Sequence, residues 1–195
     1  MITFATRKLF NFCSIIMRRI FLIGFMGAGK TTIGTKLASL MKLSFIDLDF
    51  FIENRYHKTV RQIFEEKGED AFRKMEQKTL QEVAEFEDVI ISTGGGTPCF
   101  YQNMLFMNEK GTTVYLKVST AKLIQRISLN KSARPVLKDY VDNELNLFVE
   151  ETLSKRSQFY EQAQIIVNTD TLDVSTLCVQ LKQELVSKNK KTQKI

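Results

Sequence analysis

Proline occurs only twice in the 195 residues, at Pro98 and Pro135, and both fall outside the stretches with helical periodicity. Nothing therefore interrupts the helices that the periodicity predicts. The single histidine, His57, lies in a polar turn between two predicted helices, which assigns it to solvent and disfavours any mechanism built on an imidazole base. The three cysteines, Cys13, Cys99 and Cys178, form no close pair, which excludes a disulfide framework and a metal knuckle and fits a reducing cytoplasm. No apolar run approaches the roughly 20 residues of a membrane-spanning helix. Repeats and low-complexity linkers are also missing, so the chain reads as one soluble domain.

Acidic residues are absent from both ends. Arg7 and Lys8 near the start, and Lys188, Lys190, Lys191 and Lys194 near the finish, account for the whole excess of 28 basic over 22 acidic residues. Residues 18–187 are thus neutral overall, which argues against a nucleic-acid-binding surface, since that needs concentrated positive charge. Arg7 and Lys8 precede only a short, interrupted apolar stretch without a small-residue cleavage site. Residues 1–17 are expected to be a dispensable extension, 18–187 a single domain, and 188–195 a solvated basic tail.

What is present is an alternation of short apolar strands with helices. Strands are predicted at Arg19–Ile23, Phe45–Asp47, Val89–Ser92, Thr113–Val118 and Gln164–Val167. Helices are predicted over Thr31–Leu40, Val60–Lys67, Glu69–Phe86, Ala121–Ser128, Asn143–Glu161 and Val174–Val186. Thr59 and Gln62 form a capping box, and Gly68 separates the second helix from the third. The fold class is α/β, a three-layer α/β/α arrangement around a parallel sheet.

Gly24-Phe-Met-Gly27-Ala-Gly29-Lys30-Thr31 satisfies G-x-x-x-x-G-K-[ST] and lies between a strand and a helix, as that motif requires. Its glycines let the backbone turn back and aim successive N–H groups at phosphate oxygens. The helix that follows presents its positive end to the same anion. Lys30 can reach the β- and γ-phosphates, and the Thr31 hydroxyl can ligate Mg²⁺. The motif establishes nucleotide binding and no more, because GTPases, ATPases, nucleotide kinases and metabolite kinases all carry it.

Five weaker features point to an acceptor and its phosphorylation. Asp47-Leu-Asp49 is predicted to end the second strand, where ligands of open parallel sheets sit. Asp47 can hold a metal ion, directly or through water, and Asp49 can orient and deprotonate a hydroxyl; such acid pairs also occur in solvated loops. Arg73 and Glu76 share a helix face, a pairing that fixes a guanidinium for a carboxylate or makes an ordinary surface ion pair. Gly94-Gly95-Gly96 after the third strand gives backbone N–H groups close access to a small ligand. Arg134-Pro135 lies in the polar stretch 130–139, where a mobile loop with one arginine suits phosphoryl transfer. Arg156 is a second partner for a carboxylate. Each arginine alone is better read as surface charge.

In this order the P-loop, D-x-D, F-R-x-x-E, T-G-G-G, R-P and K-R resemble the shikimate kinase family, over roughly Arg18 to Asp170. The resemblance implies a five-stranded parallel sheet of the P-loop kinase type with a mobile lid at about 130–140. It implies transfer of the ATP γ-phosphoryl group to the 3-hydroxyl of shikimate, with Mg²⁺ as cofactor and ATP as co-substrate. By position, Asp49, Arg73, Gly95 and Arg156 would bind shikimate, with Gly94 and Gly96 completing the loop. Gly27, Ala28, Gly29, Lys30, Thr31 and Thr32 would cradle phosphate, and Thr31 and Asp47 would manage the metal. Lys30, Asp49 and Arg134 would carry the chemistry, Arg134 closing on ATP and Arg126 lying against adenine. A cytoplasmic monomer acting on small molecules, with no nucleic acid or membrane partner, follows from the same resemblance. One departure is visible: the segment after β-strand residue Val167 reads Asn168-Thr169-Asp170, where the family usually has an acid after the valine. The rival readings are a related kinase for gluconate or a nucleoside monophosphate, and a non-enzymatic ATP-binding regulator.

Overall fold

The computed structural model describes residues 18–129 and 142–192. Arg134 and the expected lid, the extension 1–17 and residues 193–195 lie outside the described residues.

Strand β1 (Arg19–Ile23) is the centre of the molecule, with Ile20, Phe21, Leu22 and Ile23 wholly buried. A strand apolar on both faces must be covered on both, which a parallel sheet under two helix layers provides. The sheet has five parallel strands in the order β2-β3-β1-β4-β5, where β2 is Ser44–Asp47, β3 Val89–Ser92, β4 Thr112–Lys117 and β5 Ile165–Asn168. The chain leaves β1 towards one edge and later returns past it to the other. Right-handed crossovers then put α1 (Lys30–Met41) on one face and the helices of the later crossovers on the opposite one. The last helix, α7 (Val174–Thr192), packs against α1. Among the described residues, no helix is long and apolar enough to cross a membrane.

All five expected strands form, each within one residue of its expected bounds. The capping box also forms at the head of α3 (Val60–Val83): Gln62 N–H donates to Thr59 Oγ1 at 3.2 Å, and Thr59 N–H to Gln62 Oε1 at 2.8 Å. Gly68 breaks α3 into two rods, with φ 78° and ψ 170°, a conformation that favours glycine. Helix α5 spans Thr120–Leu129 and α6 Asp142–Tyr160.

Three expectations need correction. Asp49 is not part of a strand end: it lies in the first turn of α2 (Leu48–Tyr56), a helix given no bounds from the sequence. Asp47 caps this helix by accepting from Phe50 N–H at 3.4 Å, and Leu48 and Ile52, one turn apart, bury its inner face. A short helix α4 (Asn103–Lys110) follows a single 3₁₀ turn at Thr97–Cys99, and neither was expected. Helix α7 continues past Val186 to Thr192, so the segment expected as a tail begins inside a helix.

Candidate active site

Strands β1 and β3 are neighbours in register, with Leu22 opposite Ser92, and Thr93 N–H donates to Leu22 O at 3.1 Å. The glycine-rich turn after β1 and the glycine triplet after β3 therefore leave the sheet side by side, at the switch point where α/β sheets bind ligands. A cavity of about 610 Å³ opens there, lined by the turn from Met26 to Ile33 and by Asp47, Asp49, Gly95, Arg126 and the strand-end residues Ser92, Thr93 and Thr169.

The turn takes its shape from Gly24, Gly27 and Gly29, at φ 143°, 82° and 89°. A methyl group on Gly24 would also lie 2.9 Å from Leu116 O of β4, so the first glycine is demanded twice. Lys30 Nζ donates to the carbonyls of Gly24 (2.8 Å) and Phe25 (3.0 Å). The Thr31 hydroxyl donates to Asp47 Oδ2 at 2.7 Å. Arg126, from the last turn of α5, donates from Nη1 to Gly27 O at 3.2 Å. Beyond β5, Asp170 accepts from Ser119 N–H at 3.5 Å and lies 3.7 Å from Lys122 Nζ.

The second half of the site is built around the triplet. Methyl groups placed on these glycines show what converges on each. At Gly94 a methyl would lie 2.8 Å from both Asp49 Oδ1 and Glu76 Oε1. At Gly95 it would lie 3.4 Å from Arg156 Nη1 and from Met26 N. At Gly96 it would lie 2.6 Å from Arg73 Nη2. The triplet is thus the floor on which Asp49, Arg73 and Arg156 meet, beside the nucleotide turn.

Arg73 is held in a fixed pose. Its Nη1 donates to Glu76 Oε2 at 2.8 Å and its Nη2 to Glu69 Oε1 at 3.2 Å. The rings of Phe100 (4.4 Å), Phe72 (5.2 Å) and Phe64 (5.5 Å) surround the guanidinium. Glu76, 1% exposed, also accepts from the Thr97 hydroxyl at 2.6 Å. A buried carboxylate bonded on both oxygens is a rigid support for its arginine. Arg156 lies over Phe25 at 5.9 Å.

These surroundings set the protonation of the site. Burial, and then the Glu76 and Asp47 carboxylates, push the Asp49 carboxyl up to about 6, against the opposing pull of Lys30. Burial pushes the Cys99 thiol up to about 11, although Arg156 and Arg73 act the other way.

Of the expected site residues within the described stretches, those from Gly27 to Thr32 and Asp47, Asp49, Gly95 and Arg126 line the cavity, while Gly94, Gly96, Arg73 and Arg156 lie beside it along the triplet. Glu76 was expected only as a partner of Arg73, and its contact with Thr97 has no sequence signal. The ring of Phe100 over Arg73 was not anticipated either. Its backbone is followed by two left-handed residues, Tyr101 (φ 48°) and Gln102 (φ 57°), which local patterning does not reveal.

A family model described as shikimate kinase matches residues 26–186. A shikimate kinase of Parabacteroides distasonis is 59% identical over 156 residues, covering 80% of this chain and 90% of that one. The crystal structure of shikimate kinase from Bacteroides thetaiotaomicron is 51% identical, with a TM-score of 0.81 over 88% of this chain and 99% of its own. That of the Acinetobacter baumannii enzyme, in complex with shikimate, is 33% identical, with a TM-score of 0.77 over 88% and 94%. With a P-loop turn and a glycine triplet ringed by Asp49, Arg73 and Arg156 meeting at the sheet's switch point, and with these relatives, the chain belongs to the shikimate kinase family.

Proposed function

We propose that this chain transfers the γ-phosphoryl group of ATP to the 3-hydroxyl of shikimate, with ATP on the glycine-rich turn and shikimate over the glycine triplet. The observation that carries the assignment of roles is the meeting of Asp49, Arg73 and Arg156 on that triplet, beside Lys30. Two guanidiniums on one side suit a small carboxylate, and one aspartate towards the phosphates suits a reacting hydroxyl.

Thr31 and Asp47 fit a Mg²⁺ ion: a hydroxyl and a carboxylate 2.7 Å apart are hard oxygen donors beside the phosphate cradle. When bound, the ion neutralises charge on the phosphate oxygens. The chain's own residues do the rest. Amides of the turn and the head of α1 hold the phosphates, and Lys30 exchanges the carbonyls of Gly24 and Phe25 for phosphate oxygens. Arg73 and Arg156 anchor the acceptor by its carboxylate, which sets the hydroxyl in line with the γ-phosphorus. Asp49 accepts the hydroxyl proton as the new P–O bond forms and the bond to the β-phosphate oxygen breaks, releasing ADP. Arg126 meets the nucleotide's base side, and Arg134 completes the set from outside the described residues. The same reading includes a cytoplasmic monomer.

The test is ADP release with Mg-ATP against shikimate, quinate, gluconate, AMP and CMP. Shikimate is expected to exceed every other acceptor by orders of magnitude. Preference for gluconate or a nucleotide, or ATP hydrolysis indifferent to all five, overturns the reading.

A further inference from the structure

Tyr160, the last residue of α6, is wholly buried, and its hydroxyl donates to Gly95 O at 2.5 Å, across 65 positions of sequence. Its ring packs on Tyr115 of β4 with centroids 5.1 Å apart. The phosphate and acceptor contacts proposed above do not use it. Its position nevertheless bears on how the triplet presents itself.

Glycine peptides rotate easily because no Cβ restrains them. In a planar trans peptide the carbonyl and the following N–H point in opposite directions, so fixing one aims the other. Each carbonyl of the triplet has a partner. Gly94 O accepts from Thr97 N–H at 3.3 Å and Gly96 O from Cys99 N–H at 2.9 Å, both within the local turn. Gly95 O accepts from a side chain of another element. Tyr160 also lies one turn after Arg156, on the same face of α6. One helix thus brings a guanidinium within 3.4 Å of the missing Cβ of Gly95 and a hydroxyl to the carbonyl of the same residue. Burial holds the phenol far above its ordinary range, so it remains a donor throughout the working pH.

We propose that Tyr160 is a positioning residue for the acceptor: by holding Gly95 O it locks the Gly95–Gly96 peptide, turns the Gly96 amide towards the acceptor hollow, and sets the distance between that peptide and the Arg156 guanidinium. This rests on shikimate lying over the triplet. It adds a residue that touches neither substrate but sets the geometry of two groups that do.

The test compares Tyr160→Phe, which keeps the ring, with Tyr160→Leu and with Arg156→Ala. Steady-state constants for both substrates and the melting temperature are measured for each. For Tyr160→Phe the KM for shikimate is expected to rise about tenfold, the scale of one lost hydrogen bond. Its KM for ATP should stay within about twofold and its melting temperature close to that of the parent. Tyr160→Leu should add a fall in melting temperature. A Tyr160→Phe protein with unchanged shikimate KM, beside an impaired Arg156→Ala, overturns the role of Tyr160 alone. Equal losses toward both substrates together with a lowered melting temperature reduce Tyr160 to a packing residue and overturn it too. If Arg156→Ala is itself unimpaired toward shikimate, the acceptor's placement fails and the inference falls with it.

Discussion

Asp49→Asn should make this protein more stable and nearly inactive. The wild-type carboxyl titrates at about 6 instead of 3.8, because burial and the neighbouring Glu76 and Asp47 disfavour its charge. The folded state therefore retains a proton that the unfolded chain has already released. Below about pH 4 both states are protonated and the site exerts no penalty. As pH rises from about 4 to 6 the stability attributable to Asp49 falls, and above 6 the full difference is present. Roughly two pH units at about 1.4 kcal/mol each set an upper bound near 3 kcal/mol, with the opposing pull of Lys30 already included. Asparagine has the same shape and no charge. Its melting temperature at about pH 7.5 should exceed the parent's by up to about 10 °C, given the domain's size, and the gain should shrink to nothing near pH 4. Turnover should drop about 10²- to 10⁴-fold, the range for loss of a general base, with ATP affinity preserved. Thermal melts across that pH range and ADP release at saturating substrates measure both. A stability difference that does not change with pH refutes the electrostatic account, and parental turnover removes Asp49 from the proton transfer.

The same carboxyl predicts that kcat/KM for shikimate rises with pH through about 6; a profile already level near pH 5 contradicts that assignment. Gly96→Ala needs no backbone change at φ −89°, but its methyl would lie 2.6 Å from Arg73 Nη2. With the guanidinium already wedged against Phe100, the KM for shikimate should rise about 10- to 100-fold while that for ATP barely moves; a normal shikimate KM would show that Arg73 is free to retreat. Gly34→Ala is a control away from the site. Its methyl would lie 2.4 Å from Phe45 Cε2, so urea melts should show a loss of about 1–3 kcal/mol with kcat/KM intact.

The nucleotide turn is legible in the sequence because its function resides in backbone, and backbone that must turn back on itself advertises its glycines. Arg73 and Glu76 are legible as a pair because helical spacing alone brings them together. Asp47 shows where such reading stops. It serves at once as the end of β2, the cap of α2 and the partner of Thr31, and the first reading hides the second. With α2 unseen, Asp49 is placed on the wrong element although it still lines the crevice, since either placement points it there. Contacts such as Tyr160 with Gly95, or Thr97 with Glu76, join residues 65 and 21 positions apart and exist only once the sheet has formed. No local pattern carries them.

The triplet and the nucleotide turn sit one strand apart, yet they are made of different stuff. The phosphate cradle is mostly main chain, whose hydrogen-bonding groups no point substitution short of proline removes. On the function proposed, the acceptor side draws its charge from side chains on α2, α3 and α6, each exchangeable by a single codon change. Descendants of such a gene can therefore wander in what they phosphorylate while their hold on the nucleotide stays put.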